Sequence, residues 1–395
     1  MKQLDKKKNI AIIVPRLCDG GAERTAGFVS YQLAVDHNVY LFVFDTKEIT
    51  YPYKGMLINV GVPASGNWIS RILNLLKRIK GVRKLKVKYN IDTSISFMDG
   101  ADLVNCLTKK NEKVITSIRN HKSNYAPKNI LLKQIDKLIY KFVEVKSDII
   151  VAISQGVAKD LIDYYNVSPK KILPIYNSCD IKVLEEESAD SGKQKIENSI
   201  VTMGRLVGEK GQWHLIRAFT RVREEYPDAI LDILGSGPLK DKLQTLIDDL
   251  ELSDCVRLIG YIKGPHQFIR QHDIFVFPSI SEGLGYSLIE ALCCGMPCIA
   301  DDCEYGPREI LAPGTEIRGE FEEVELAEVG MLTSKLCDDC FDSETPLSLA
   351  EEQLAKAICT LLGNKALRLQ YQEAAKKRSY DYLPEKIMEE WRKII

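Results

Sequence analysis

Residues 281–300 read SEGLGYSLIEALCCGMPCIA. Three kinds of local structure follow one another in this stretch. A loop carries Gly283 and Gly285, an apolar run at helical spacing covers 288–293, and a short strand covers 297–300. Loop, helix and buried strand in that order belong to an α/β sheet. The chemistry sits at the turn into the helix. Glycines let backbone amides approach an oxyanion closely, and a helix N-terminus favours negative charge. Glu282 and Glu290 stand either side of that turn, and a carboxylate one turn inside such a helix can accept hydrogen bonds from a ribose diol.

Working outward, the same alternation fills the chain. Strand-like apolar runs occur at 9–15, 39–44, 93–97, 114–118 and 149–153, with helical patterns between them, the first at 23–34. A polar, acidic stretch at 185–198 (EEESADSGKQKIEN) then interrupts the pattern and reads as a linker. Strands resume at 199–203, 230–234, 256–259, 274–277 and 297–300, with helices at 212–225, 239–250 and 288–293. Continuous apolar strands separated by helices predict parallel sheets covered on both faces. The expectation is α/β with two doubly wound Rossmann-like domains facing each other across a cleft: 1–185, a linker at 186–198, and 199–378. An amphipathic helix within 379–395 (Ile387, Met388, Trp391, Ile394) is expected to pack back on the first domain.

A chain of 395 residues, 45% hydrophobic and 28% charged, suits a two-domain soluble protein. No apolar run approaches the roughly 20 residues of a membrane span, and the run after Lys6–Lys8 is too short for a signal peptide. A cytoplasmic protein is therefore expected. Most of the eleven cysteines sit in apolar segments and read as small buried hydrophobes. The Cys337–Cys340 pair has no second pair to complete a zinc site, and no metal is expected. Charge is strongly divided. Residues 1–180 hold 29 Lys/Arg against 16 Asp/Glu, a balance of +13, and the remainder hold 25 against 39, a balance of −14. Such asymmetry suggests that the first half faces a polyanion or an anionic membrane.

Three further motifs end strands. In Met203-Gly204-Arg205-Leu206 and the following Glu209-Lys210-Gly211, Arg205 and Lys210 are spaced to clamp a diphosphate, one as a planar fork and one as a point charge. Alone they would read as surface cations; beside the 281–300 segment they gain a role. Gly235-Ser-Gly237 is a tight turn or a phosphate loop, and Gly20-Gly21-Ala-Glu-Arg is open between the same two readings. Together these motifs suit a nucleotide-sugar pocket.

GGAER, MGRLVGEKG, LGSGP and SEGLGYSLIEALCCGMPCIA stand in the order seen in retaining glycosyltransferases of family 4, and the chain resembles that family over nearly its whole length. The segment GPREI at 306–310 is similar to one in members that build bacterial surface polysaccharides. The resemblance implies the GT-B fold. It implies that Glu290 holds the ribose and Glu282 contacts the donor sugar. Arg205 and Lys210 would bind the diphosphate, helped by the amides of Gly283, Leu284 and Gly285. Tyr261 and Ile262 would lie near the base, with Gly20, Gly21, Gly204, Gly235 and Gly237 lining the donor. His121, after the strand at 114–118, is the expected histidine near the reacting sugar. Tyr286 departs from the smaller residue often found there, so the donor sugar stays open.

The implied reaction moves a hexose or N-acetylhexosamine from a nucleotide diphosphate, expected to be UDP, to a lipid-linked or surface-polysaccharide acceptor, without metal or other cofactor. Trp68–Lys88 has eight Lys/Arg and no acidic residue, with apolar residues interleaved at helical spacing. It is expected to lie on the anionic inner face of the membrane, against the alternative of an ordinary surface helix. No nucleic-acid module accompanies it. A nicotinamide dehydrogenase lacks its G-x-G-x-x-G on the first turn. A non-catalytic nucleotide-sugar-binding subunit is the alternative, set against the intact Arg, Lys and two Glu.

Overall fold

The computed structural model describes residues 7–18, 20–63, 68–179, 195–316, 321–337 and 341–395. The chain divides into two compact units, Met1–Asn177 with Glu385–Ile395, and Ser178–Pro384. The division falls at Asn177–Ser178, ahead of the acidic stretch, and residues 186–194 of the expected linker lie outside the described residues.

In the first unit, β1 (Asn9–Val14), β2 (Asn38–Val43), β3 (Met56–Asn59), β4 (Thr93–Phe97), β5 (Lys113–Ile118), β6 (Ile149–Ala152) and β7 (Ile172–Pro174) make a parallel sheet ordered 3-2-1-4-5-6-7. Every residue of β4 is buried, which is why it reads as a continuous run rather than an alternating one. Among the described residues, the helices ahead of the unit boundary are α1 (Gly21–Leu33), α2 (Trp68–Lys88), α3 (Asp99–Leu107), α4 (Ile130–Lys146) and α5 (Gln155–Asp163). Val82 of α2 and Val104 of α3 pack with Ile13 and Phe42 on one face of the sheet. Val143 of α4 joins Cys106 of α3 and Val114 on that same side. The other core holds Ile12, Phe97, Val29 and Leu33 of α1, together with Ile387, Met388 and Trp391 of the last helix, Pro384–Lys393, and Ile394 just after it. Trp391 is wholly buried, with its ring centroid 5.9 Å from that of Phe97.

In the second unit, β8 (Ser199–Met203), β9 (Ile230–Leu234), β10 (Val256–Gly260), β11 (Ile274–Phe277), β12 (Cys298–Asp301), β13 (Glu325–Leu326) and β14 (Met331–Thr333) are ordered 10-9-8-11-12-14-13. Among the described residues only the β13–β14 pair is antiparallel. The helices are α6 (Gln212–Glu225), α7 (Lys240–Asp249), α8 (His266–Arg270), α9 (Tyr286–Cys293), α10 (Pro307–Leu311), α11 (Leu349–Gly363) and α12 (Lys365–Ser379). A buried polar knot ties α6 to α11. Glu351 Oε1 lies 2.8 Å from both His214 Nδ1 and Arg217 Nε. Its Oε2 accepts from the Ser348 amide at 2.8 Å, closing a capping box. Burial works against charge on Glu351, but these partners overcome it and hold the carboxyl at about 2.

Sequence periodicity missed β3, β7, β13, β14, α8, α10, α11 and α12. The first is a half-exposed edge strand and the next three have only two or three residues each, too few for a period to show. Both sheets are doubly wound, and both reverse strand order beside their first strand: β1 against β4, and β8 against β11. In such sheets ligands bind outside the strand C-termini at that reversal.

Candidate active site

In the second unit the reversal point is where the two most informative loops emerge. The loop after β8 carries Arg205 and Lys210, and the loop after the neighbouring β11 carries Glu282. The loops are joined by backbone, since the Ile280 amide donates to the Glu209 carbonyl at 3.1 Å. Lys210 Nζ makes an ion pair with Glu282 Oε1, both side chains being mostly buried. The same ammonium stands 5.7 Å from the centre of the Phe277 ring at the end of β11. Arg205 is exposed, and its main-chain carbonyl is held by Gln212 Nε2 at 3.0 Å. Among the described residues no carboxylate pairs with the Arg205 guanidinium. The site therefore offers one neutralised cation and one open one.

Close backbone stacking fixes these loops. Gly235, at φ 138°, lies against the loop before Arg205, and a Cβ there would come within 1.9 Å of the Gly204 carbonyl oxygen. The Leu206 amide donates to Ser236 at 2.9 Å across the same contact. The G-x-G turn thus supports the Arg205 loop from beneath. Gly306, at φ 104°, does the same for the Glu282 loop: a Cβ there would meet the Leu284 carbonyl oxygen at 2.3 Å. Arg308, two residues on, is buried and gives a forked pair of bonds to Asp302 (2.9 and 2.7 Å) and another bond to Glu325 at 2.9 Å. In GPREI the arginine is a clamp that seats the loop.

Glu290 lies on α9 one turn after the loop, buried, with Oε1 3.5 Å from His266 Nε2 of α8. Tyr286, the first residue of α9, turns its hydroxyl to the Ser178 carbonyl at 2.9 Å. Its oxygen is engaged by main chain, where the sequence had left it open as a selector of sugar. Ser178 is followed by Cys179, whose amide donates to the Tyr382 carbonyl at 2.8 Å. Behind Glu282, Asp301 at the end of β12 is completely buried. Burial, then the nearby charges of Asp302 and Glu282, push its carboxyl well above the usual range. Tyr261, just after edge strand β10, is 78% exposed, with Ile262 half-buried beside it.

In the first unit, Gly20 caps α1 with an extended backbone, and Glu23 folds back over it. A Cβ on Gly20 would lie 2.1 Å from Glu23 Oε2, whereas Gly21 has open space where its Cβ would be. The helix N-terminus is thus already faced by a carboxylate of its own first turn. His121 follows β5 and is 3% exposed, with Nε2 3.1 Å from Asp160 Oδ1 of α5. Asp160 Oδ2 accepts from the amides of Lys122 (2.8 Å) and Ser123 (3.2 Å). Burial opposes charge on Asp160, yet these bonds and His121 hold it below the usual carboxylate range. Arg119 donates to Thr25 Oγ1 at 3.0 Å and to Asn177 Oδ1, the residue at which the chain leaves this unit. At the reversal itself Met98 adopts φ 79°, a strained conformation for a residue with a side chain.

Among the described residues no cluster of three or more His, Cys, Asp or Glu is arranged to hold a metal, and Cys340 lies outside them. Eight cysteines are buried, and burial pushes the Cys294 thiol up to about 12, as expected of packing residues.

Comparison with known proteins meets this geometry. A family model described as Glycosyltransferase Family 4 matches residues 19–183, and one described as Glycosyl transferases group 1 matches 165–328. An uncharacterised glycosyltransferase of Methanocaldococcus jannaschii is 33% identical over 339 residues, covering 81% of this chain and 83% of its own. The chain belongs to the family 4 glycosyltransferases. Another relative, from Campylobacter jejuni, is named N-acetylgalactosamine-N,N'-diacetylbacillosaminyl-diphospho-undecaprenol 4-alpha-N-acetylgalactosaminyltransferase. It is 29% identical, covering 77% of this chain and 83% of its own. Among solved structures, Anabaena HepE in complex with UDP superposes with a TM-score of 0.72 at 16% identity, covering 98% of each chain. That likeness shows the fold, the two-domain α/β arrangement called GT-B.

For this glycosyltransferase the structure brings Arg205, Lys210, Glu282, Gly283–Gly285 and Glu290 to one reversal point, with Gly204, Gly235 and Gly237 stacked beneath. Gly20, Gly21 and His121 lie at strand ends of the other unit. Sequence reasoning missed Asp160, His266, Arg308 and Asp301. Only Arg308 had a signal, its place in GPREI; the others are single polar residues that spacing does not distinguish from surface ones.

Proposed function

We propose that this enzyme transfers a hexosyl or N-acetylhexosaminyl group from UDP to a lipid-linked glycan, with retention of anomeric configuration. The observation that carries the reading is the Lys210–Glu282 pair at the sheet reversal, flanked by the open Arg205 guanidinium and by buried Glu290. In this reading Glu290 takes the ribose diol, and the exposed ring of Tyr261, with Ile262, takes the base. Amides of Gly283, Leu284 and Gly285, together with Arg205 and Lys210, take the diphosphate. As the sugar–phosphate bond breaks, negative charge moves onto the departing diphosphate, and these fixed donors stabilise it without a metal. Arg205 supplies the net positive charge, because Lys210 enters already balanced by Glu282. Glu282 faces the donor sugar and keeps Lys210 in place. The departing phosphate oxygen takes the acceptor proton on the face it leaves, which preserves the configuration.

The named activity of the Campylobacter relative supports a polyprenyl-diphosphate-linked acceptor, and UDP in the Anabaena structure supports the nucleotide. The basic helix α2 supports a place at the anionic inner face of the cell membrane; among the described residues no helix is long and apolar enough to cross it. A nucleotide-release assay tests the site. Lys210→Ala and Glu290→Ala should each remove most of the transfer, and near-wild-type rates in both would reject it. Activity unchanged by a chelator is the expected result for the metal-free mechanism. A thermal-shift screen of UDP- and GDP-sugars tests the donor. At about 100 times its Kd the right donor adds roughly 2.7 kcal/mol.

A further inference from the structure

Helix α4 displays an apolar face to solvent. Leu131, Ile135, Leu138 and Val145 fall on one stripe at helical spacing, and all are exposed, Leu131 and Leu138 by 69% and 68%. Leu132 and Ile139 widen the stripe to an arc of about 140° at 100° per residue. The opposite side of the helix packs through Tyr140 and Val143. A stripe this broad and this exposed is unusual for a soluble surface, where contiguous apolar patches mark interaction sites.

The charges around it choose the partner. Lys128 before the helix and Lys141 and Lys146 on it are exposed. Its two carboxylates are turned inward or engaged: Asp136 accepts from the Tyr165 hydroxyl at 2.7 Å, and buried Glu144 accepts from the Ser168 amide at 2.9 Å and pairs with Lys141. The face therefore meets its surroundings with leucine, isoleucine and lysine. Moreover α3 packs against both α2 and α4, so the two helices lie on one side of the sheet. The exposed Ile72, Leu73 and Leu76 of α2, among Arg71, Lys77 and Lys80, give that side of the sheet a second apolar and basic patch. A second copy of the chain would bring lysines against lysines, and its seam would need a narrower stripe. Apolar residues framed by cations fit the boundary of an anionic bilayer.

We infer that the α4 face, with α2 on the same side of the sheet, inserts its leucines and isoleucines into an anionic lipid surface, and that α4 supplies most of the apolar anchoring. The inference rests on the membrane-borne acceptor proposed above, and its test reads binding without transfer, so the two can fail separately. The full chain is sedimented with vesicles of phosphatidylcholine mixed with phosphatidylglycerol, and with phosphatidylcholine alone. Wild type should bind the mixed vesicles, release in high salt, and bind the neutral ones poorly. The double variant Leu131→Gln/Leu138→Gln changes only exposed side chains and should lose binding by roughly tenfold or more. Its thermal shift with UDP should be unchanged, which shows that the fold is intact. The inference is overturned if wild type does not bind the mixed vesicles, or if the α4 variant binds like wild type while Ile72→Gln/Leu76→Gln does not. It is equally overturned if light scattering shows a dimer that the α4 variant converts to monomer without any change in vesicle binding.

Discussion

Replacing Gly306 by alanine tests whether the GPREI segment sets the shape of the donor loop. The position has φ 104°, where an L side chain costs about 1–2 kcal/mol. The new Cβ would lie 2.3 Å from the Leu284 carbonyl oxygen and 2.7 Å from its carbon. Real contacts essentially never fall under 3.0 Å, so the main chain at Leu284 must retreat by about 0.7 Å or α10 must tilt away. Leu284 lies between the two glycines whose amides are assigned to the phosphates, so the displacement enters the site directly. Misplacement of a reacting group by about 1 Å can cost on the order of a hundredfold in rate. Backbone strain alone should lower the melting temperature by roughly 2–8 °C, given about 2–4 °C per kcal/mol for a unit of this size. The measurements are a melting curve and initial rates of nucleotide release. A variant that melts and turns over like wild type would refute the stacking argument. A variant that loses stability but keeps its rate would show that the loop does not position the phosphates.

Tyr286→Phe removes the hydroxyl that bonds the Ser178 carbonyl, so the fold should persist while kcat falls and the affinity for UDP by calorimetry stays within about threefold. Loss of UDP affinity instead would place the hydroxyl on the nucleotide. Glu351, held at about 2 against 4.5 for a free glutamate, contributes stability that is complete above pH 4.5 and lost as pH falls towards 2. Glu351→Gln should melt earlier at neutral pH and show a flatter dependence of Tm on pH across that window; parallel curves for the two proteins would contradict it. Trp391→Ala should destabilise the first unit by about 3–5 kcal/mol, read by proteolysis of that unit. Protection equal to wild type would show that the last helix is dispensable.

Much of the fold was legible because parallel strands buried on both faces spell themselves as apolar runs. The site was legible for the same local reason. Arg205, Lys210, Glu282 and Glu290 follow strands or open helices, and glycines mark the turns. What spacing does not carry is which loops lie side by side. Gly235 and Gly306 were read as ligand-contacting or family-marking residues, yet each is fixed by a carbonyl from a distant loop. Asp160 is 39 residues from His121, and only the packing of α5 on β6 and β7 brings it to the residue after β5. The exposed leucines of α4 were hidden by their ordinary helical spacing, since periodicity says that a face is apolar and not whether anything covers it.

The last helix completes a core whose strands were made first. On a ribosome, Phe97 and Ile12 would emerge long before Trp391, with the whole of the second unit still to be synthesised between them. The amino-terminal half would have to wait, its hydrophobic surface unsealed, until the helix Pro384–Lys393 has emerged. A nascent chain of this protein should therefore depend on chaperones for its first half, and deleting the helix Pro384–Lys393 should do more harm than its length suggests.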